Sequence, residues 1–196
     1  QLPAALKVLR EVPLAEPLEP VAQEVLKLRC QIATLSGAWD EVRDLMTLCV
    51  ERRSLPCVVE LASGLRLHKH TAEALNLLTQ ADRTLKGDHE RFTLRLEQLK
   101  VLALDAGWSP ARGRAQISAL FRAATRDRET LQNMHAWLRG QGGGKDAEAW
   151  IATLRTEVRA GADRPLAALA LSAFASALPE AARADFTFAW QKTEEK

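Results

Sequence analysis

GAWDEV, Gly37–Val42, separates two apolar-periodic segments and decides how the rest of the chain is read. Upstream, between Val21 and Ser36, one stripe runs Val21, Val25, Leu28, Ile32, Leu35, and a second runs Ala22, Leu26, Cys30, Ala33. Both keep the three-to-four spacing of an α-helix. Two apolar stripes on one helix predict two packed sides, as a helix inside a layered stack requires. Downstream, Trp39, Val42, Leu45, Met46, Cys49 and Val50 form the next helical face. Between them, Gly37 can take the left-handed conformation that ends a helix, and Asp40 and Glu41 suit the positive end of the following helix dipole. GAWDEV therefore predicts a helical hairpin. Trp39 is expected as a buried wedge at its joined end, packed against the preceding helix or the next hairpin.

Working outward, the same pattern recurs. Further helices are predicted from Pro56 to about Leu67, Thr71 to Leu85 and Arg91 to Ala106, then around Ile117–Ala124, Leu131–Leu138 and Ala147–Val158, with a closing pair at Leu166–Leu178 and Ala181–Trp190. Strand signals are nearly lacking: no segment alternates, Tyr is absent, and Ala and Leu stand where β-branched residues would. Upstream of the array, PAALKVLREV reads as a short helix, stopped by Pro13, Pro17 and Pro20. The organisation expected is an N-terminal helix and proline-rich linker over 1–19, helical repeats over 20–160, and a C-terminal pair or cap over 161–196. Short polar turns at Gly37, at His68–Thr71, at Gly107–Pro110 and at Gln141–Asp146 make consecutive helices antiparallel neighbours.

Val42 and Ala74 lie at equivalent places 32 residues apart. Cys30, Gly37, Trp39 and Cys49 in one unit, and Ala62, Ala74 and Ala81 in the next, stand where a tetratricopeptide repeat (TPR) carries small, turn and aromatic residues. Lys69 replaces the turn glycine of the second unit and Thr71 its aromatic. Later, Gly144 and Ala149 keep the pattern, Trp137 and Thr156 depart from it, and Gly107–Ala124 fits only with an insertion. The stretch Val21–Ala160 thus resembles a degenerate TPR array. The fold class expected is all-α, antiparallel hairpins stacked as a TPR-like α-solenoid, with an irregular helical bundle as the alternative.

Composition narrows the function. With 196 residues, 47% hydrophobic, the chain can bury a substantial core, and a net charge of +2 supplies no global field toward nucleic acid or an anionic membrane. The longest apolar run, Leu166–Leu178, falls short of the roughly 20 residues of a membrane span. Three cysteines, Cys30, Cys49 and Cys57, lack C-x-x-C spacing and read as buried free thiols, slightly favouring a reducing, cytoplasmic setting; the chain begins at Gln1, so its true start is open.

Motifs of catalysis are weak. His68 and His70 flank Lys69 without a third metal ligand at recognisable spacing, and they suit a polar turn. Gly142–Asp146, GGGKD, lacks the order and the preceding strand of a phosphate loop. No nucleophile sits in an elbow motif, so no enzyme, metal or cofactor is predicted. The one local asymmetry is basic, with Arg112, Arg114, Arg122, Arg126, Arg128 and Arg139 opposed only by Asp127 and Glu129; of these Arg112, Arg114 and Arg122, with Arg91 and Arg95 at i and i+4 on the preceding helix, are expected to form a partner-binding patch. Phe186 and Trp190 share a helical face near the end, predicting intrachain packing or self-association. The resemblance implies a protein-interaction scaffold or adaptor that receives a peptide or partner helix, of acidic character if the arginines are used. Two alternatives are a nucleic-acid-binding array using those arginines on phosphates and a regulatory domain of a larger enzyme or transcription factor.

Overall fold

The computed structural model describes residues 2–14, 19–123, 127–141, 147–160 and 164–174, and among these every regular element is an α-helix. The helices are α1 (Leu2–Arg10), α2 (Pro20–Ser36), α3 (Trp39–Glu51), α4 (Leu55–Leu67), α5 (Thr71–Thr84), α6 (Asp88–Leu102), α7 (Arg114–Arg122), α8 (Arg128–Gln141), α9 (Ala147–Ala160) and α10 (Arg164–Ser172). The chain divides into two compact units, Gln1–Glu90 and Arg91–Lys196. The GGGKD turn, and Phe186 and Trp190 with the helix expected around them, lie outside the described residues.

The first unit is built by one turn used three times. At Gly37, Arg53 and Lys69, each sixteen residues after the last, the backbone becomes left-handed, with φ of 67°, 52° and 64°. The amides of the next residues, Ala38, Ser54 and His70, reach back to the carbonyls of Ala33, Cys49 and Leu65 at 3.0, 3.1 and 2.9 Å. The amides of Gly37, Arg53 and Lys69 themselves bond Thr34, Val50 and Arg66 at 3.2, 3.1 and 3.1 Å. That pair of bonds satisfies carbonyls a helix end would otherwise leave orphaned. Val42, Val58 and Ala74 then donate to Ala38, Ser54 and His70, each at 3.0 Å, and open the next helix. A helix plus its turn is therefore sixteen residues, which is why Val42 and Ala74, 32 apart, are equivalent.

Because each helix folds straight back, α2 packs on both α3 and α4, α3 on α4 and α5, and α4 on α5, while α1 lies on α2. Small side chains let them approach closely. Cys30, Ala33, Cys49, Cys57, Ala62, Ala74 and Ala81 are all fully buried, among Leu26, Leu45, Leu61, Leu77 and Leu78. Gly64 marks the tightest contact: a Cβ there would sit 2.6 Å from Cβ of Thr34 on α2. Thr34 satisfies its buried hydroxyl within α2 by donating to the carbonyls of Cys30 and Gln31 at 3.1 and 3.0 Å.

Two expectations for this unit change. The inner stripe of α2, through Leu26, Cys30 and Ala33, is buried, but the outer one is not: Val21, Leu28 and Leu35 are 75%, 45% and 58% exposed, with Ile32 alone reaching the interior. Trp39 does face the next hairpin, its ring 5.3 Å from that of His68 and 4.2 Å from that of His70, yet it is half-buried rather than locked inside. The histidines sit on the α4–α5 turn, outside the close-packed leucine and alanine layer, so an indole that reaches them stays at the surface.

The second unit fills its interior differently. Phe92, Phe121, Trp150 and Phe174 lie at the centre with Leu96, Leu99, Ile117, Leu120, Met134, Leu138 and Leu154. Trp150 contacts Trp108 and Trp137, each with ring centroids 5.6 Å apart, and stacks on Phe174 at 6.4 Å. Helix α9 packs on α10 and α7, and α10 also on α8. The connection 103–113 between α6 and α7 passes Trp108 so closely over Gly113 that no Cβ fits there.

Candidate functional site

Among the described residues of the first unit, the outer stripe of α2 leaves three large apolar side chains, Val21, Leu28 and Leu35, to solvent. Val21, Leu28 and Leu35 recur at seven-residue intervals and so fall on one line along the helix, with Val25 and Ile32 filling the adjacent row. Lone exposed apolar residues are ordinary on a protein surface; a row running the length of a 17-residue helix is not. Glu24 and Lys27, 4.0 Å apart on the same helix, put both signs of charge beside it.

At the C-terminal end of α2 a cleft of about 470 Å³ is lined by Arg10, Gly37, Ala38, Trp39, Asp40, Glu41 and Arg43. Two of these residues, Arg10 and Glu41, belong to an ion-pair triad. Glu41 in the first turn of α3 is buried, and its two carboxylate oxygens separately take Arg29 of α2, at 2.5 Å, and Arg10, the last residue of α1. Burial by itself would raise the Glu41 pKa, but the hydrogen bonds and charges of Arg10 and Arg29 outweigh it and hold the carboxyl below its ordinary 4.5. Two cations on one carboxylate leave a net positive charge. On the rim, Arg43 pairs with Asp40 at 2.5 Å.

The five arginines of the expected patch all belong to the second unit, and three already hold groups of this chain. Arg95 donates to the carbonyl of Ala119 in α7 at 2.6 Å, Arg112 closes its own loop on Gly107 at 2.5 Å, and Arg114 lies 3.9 Å from buried Glu157. Glu157 also accepts from Ser118 at 2.7 Å. Arg91 is half-buried on α6 and Arg122 exposed at the end of α7. Arg95, Arg114 and Arg122 thus gather around α7.

Other polar clusters carry structural wiring. Lys100 is buried beside Glu97 at 2.6 Å and Asn133 at 3.2 Å. His135 approaches Ser172 at 3.1 Å, but the serine donates its proton to the carbonyl of Leu169 at 2.7 Å, so the imidazole Nε2 is left as donor. That is the reverse of a base activating a nucleophile.

The convergence of the three cysteines escapes sequence reasoning. Cys30, Cys49 and Cys57, from α2, α3 and α4, are fully buried with their sulfurs all within 4.8 Å of one another, and those of Cys30 and Cys49 3.6 Å apart. Hydrogen bonds from Cys30 and Cys49 lower the Cys57 pKa, whereas those from Cys49 and Cys57, with burial, raise that of Cys30. A signal existed: Cys30 and Cys49 hold the small positions of one hairpin, which must touch, and Cys57 opens the helix that packs on both. No family model, curated protein or solved structure matches the chain.

Proposed function

We propose that the chain is a protein-interaction scaffold whose first unit is a TPR-like array of helical hairpins and whose docking face is the outer stripe of α2. The observation that carries this reading is the exposure of Val21, Leu28 and Leu35 along one line of that helix. Three of the five α2 residues on this face would each gain on the order of 1–2 kcal/mol on leaving water, a reward that an amphipathic partner helix with matching seven-residue spacing collects in full. The mixed charges of Glu24 and Lys27 suit a partner with both signs at its margins. The sixteen-residue turn series and the order in which α2 to α5 pack support the TPR-like part of the proposal. For the nucleic-acid alternative, the arginines offer less, since Arg95, Arg112 and Arg114 already hold groups of this chain.

A photo-crosslinking residue placed at Leu28, compared with one at exposed Gln80 on α5 of the same unit, tests this. The expected result is one protein adduct at position 28, missing at position 80 and lost when Val21 and Leu35 are changed to aspartate. Adducts that form equally at both positions, or survive those changes, would overturn the assignment.

A further inference from the structure

Burying three thiols against one another has no packing advantage that alanine or valine would not share, so their convergence invites a chemical explanation. Each comes from a different helix: Cys30 from the C-terminal half of α2, Cys49 from the last turn of α3 and Cys57 from the first turn of α4. The geometry is set by the repeated turns, since the left-handed residue Arg53, four positions after Cys49, swings the chain back and brings Cys57 over the α2–α3 seam. Around a cation bound at about 2.3 Å, three sulfurs stand about 3.8 Å apart in a tetrahedral arrangement and about 4.0 Å apart in a trigonal plane. Here Cys30 and Cys49 are 3.6 Å apart and no pair exceeds 4.8 Å. Shifts of well under 1 Å on each sulfur would complete the ring. A disulfide between Cys30 and Cys49 would need about 2.05 Å and would leave the nearness of Cys57 without a purpose.

We propose that Cys30, Cys49 and Cys57 form a buried three-thiolate site for a single soft closed-shell cation, with Cu(I) preferred over Zn(II). Thiolate sulfur selects soft ions, and among the described residues the cluster holds no histidine or carboxylate to serve a harder one. Zn(II) in a closed site asks for a fourth protein ligand; Cu(I) is content with three sulfurs. Binding takes all three sulfurs as thiolates and leaves the Cu(I) site with two net negative charges. Two cations answer them: the charge of Lys27 acts on Cys57, and that of Arg29 on Cys49. Arg29 can do so although it pairs with Glu41, because Arg10 shares that carboxylate. With the sulfurs fully buried, the ion enters as the helices close over it, or through local opening, and once in it is shielded from solvent thiols.

The test uses the full chain, reduced and anaerobic, either folded before Cu(I) is added or refolded in its presence, against a chromophoric Cu(I) chelator. The chain is expected to withdraw one equivalent of Cu(I), and X-ray absorption is expected to report three sulfur neighbours. Cys30→Ser, Cys49→Ser and Cys57→Ser should each weaken retention by at least about 100-fold with unchanged helical circular dichroism. Should a serine variant fail to fold, the wild-type absorption spectrum decides alone: three sulfurs support the site, and two sulfurs or any nitrogen or oxygen ligand overturn it. Retention of Cu(I) by the chelator under both loading conditions, tighter binding of Zn(II), or a purified metal-free chain lighter by two hydrogen atoms through a Cys30–Cys49 disulfide would each refute it.

Discussion

The two units bury their helices by opposite means. Residues 1–90 contain a single aromatic side chain, Trp39, and all three cysteines; the other nine aromatics belong to residues 91–196. In the first unit, α2 to α5, separated by one uniform turn, cross closely over small side chains such as Ala33, Cys49 and Gly64, and the lone indole is left half-buried beside two histidines. In the second, connections vary in length, and the interior is filled with a Trp108–Trp150–Trp137 group and phenylalanines. Regular turns permit small-residue contacts; irregular ones leave spaces that large rings must take up.

The sharpest way to break this contrast is to truncate one indole in each unit. Trp150→Ala removes a side chain that touches Trp108, Trp137 and Phe174 and is expected to destabilise the second unit by about 4 kcal/mol. Trp39→Ala, at a half-buried position, is expected to cost about 1 kcal/mol or less. Hydrogen exchange read in α9 for the first variant and in α3 for the second gives the two numbers separately. Equal losses of protection would mean that Trp39 supports its unit as a core residue and that the contrast is false.

A charge takes the place of an aromatic anchor where α1 meets α2 and α3. Glu41→Gln keeps the shape and removes the attraction of Arg10 and Arg29, at an expected cost of about 2 kcal/mol near neutral pH; half-exposure of Arg10 keeps this below the loss for a fully buried pair. The sign with pH follows from the lowered pKa. Because the folded value lies below the ordinary 4.5, the carboxylate's contribution is complete above pH 4.5 and is lost as pH falls through the folded value. Denaturation midpoints of the wild type should therefore drop toward those of Glu41→Gln below pH 4.5. A gap that stays constant with pH would assign Glu41 a role in packing alone.

Helix content, the Gly37 hairpin and the equivalence of Val42 with Ala74 were legible because apolar spacing and glycine placement are local signals. The helix starts at Thr71 and Ala147 were as readable, whereas α6 begins at Asp88 and ends at Leu102, several residues before the expected Ala106. Which of two stripes on α2 is covered was not legible, since periodicity reports a face and not its neighbour. The same holds for Trp39, whose size suggested a core place although its partners, His68 and His70, lie on a turn. The thiol cluster depends on three helices at once, and the arginines' engagements with Ala119, Gly107 and Glu157 depend on loop paths; neither is encoded in short-range spacing.

The smallest effect is also the most specific to the repeated turn. Arg53 and Lys69 occupy the left-handed conformation that Gly37 occupies, and both are exposed, so their side chains pay a steric cost that glycine does not. Arg53→Gly and Lys69→Gly are each expected to raise stability by up to about 1 kcal/mol, measured by chemical denaturation. The second unit supplies the control. Helix α7 ends at Ala123 with φ −92° and ψ 102°, an extended conformation that alanine adopts without strain. Ala123→Gly should therefore bring no gain and a loss of a few tenths to about 1 kcal/mol, because glycine adds freedom to the unfolded chain and nothing to the fold. Gains at positions 53 and 69 with a loss at 123 would tie the left-handed turn to the first unit's repeat. A loss at 69 would mean instead that the lysine side chain, and not backbone geometry, fixes the approach of His70 to Trp39.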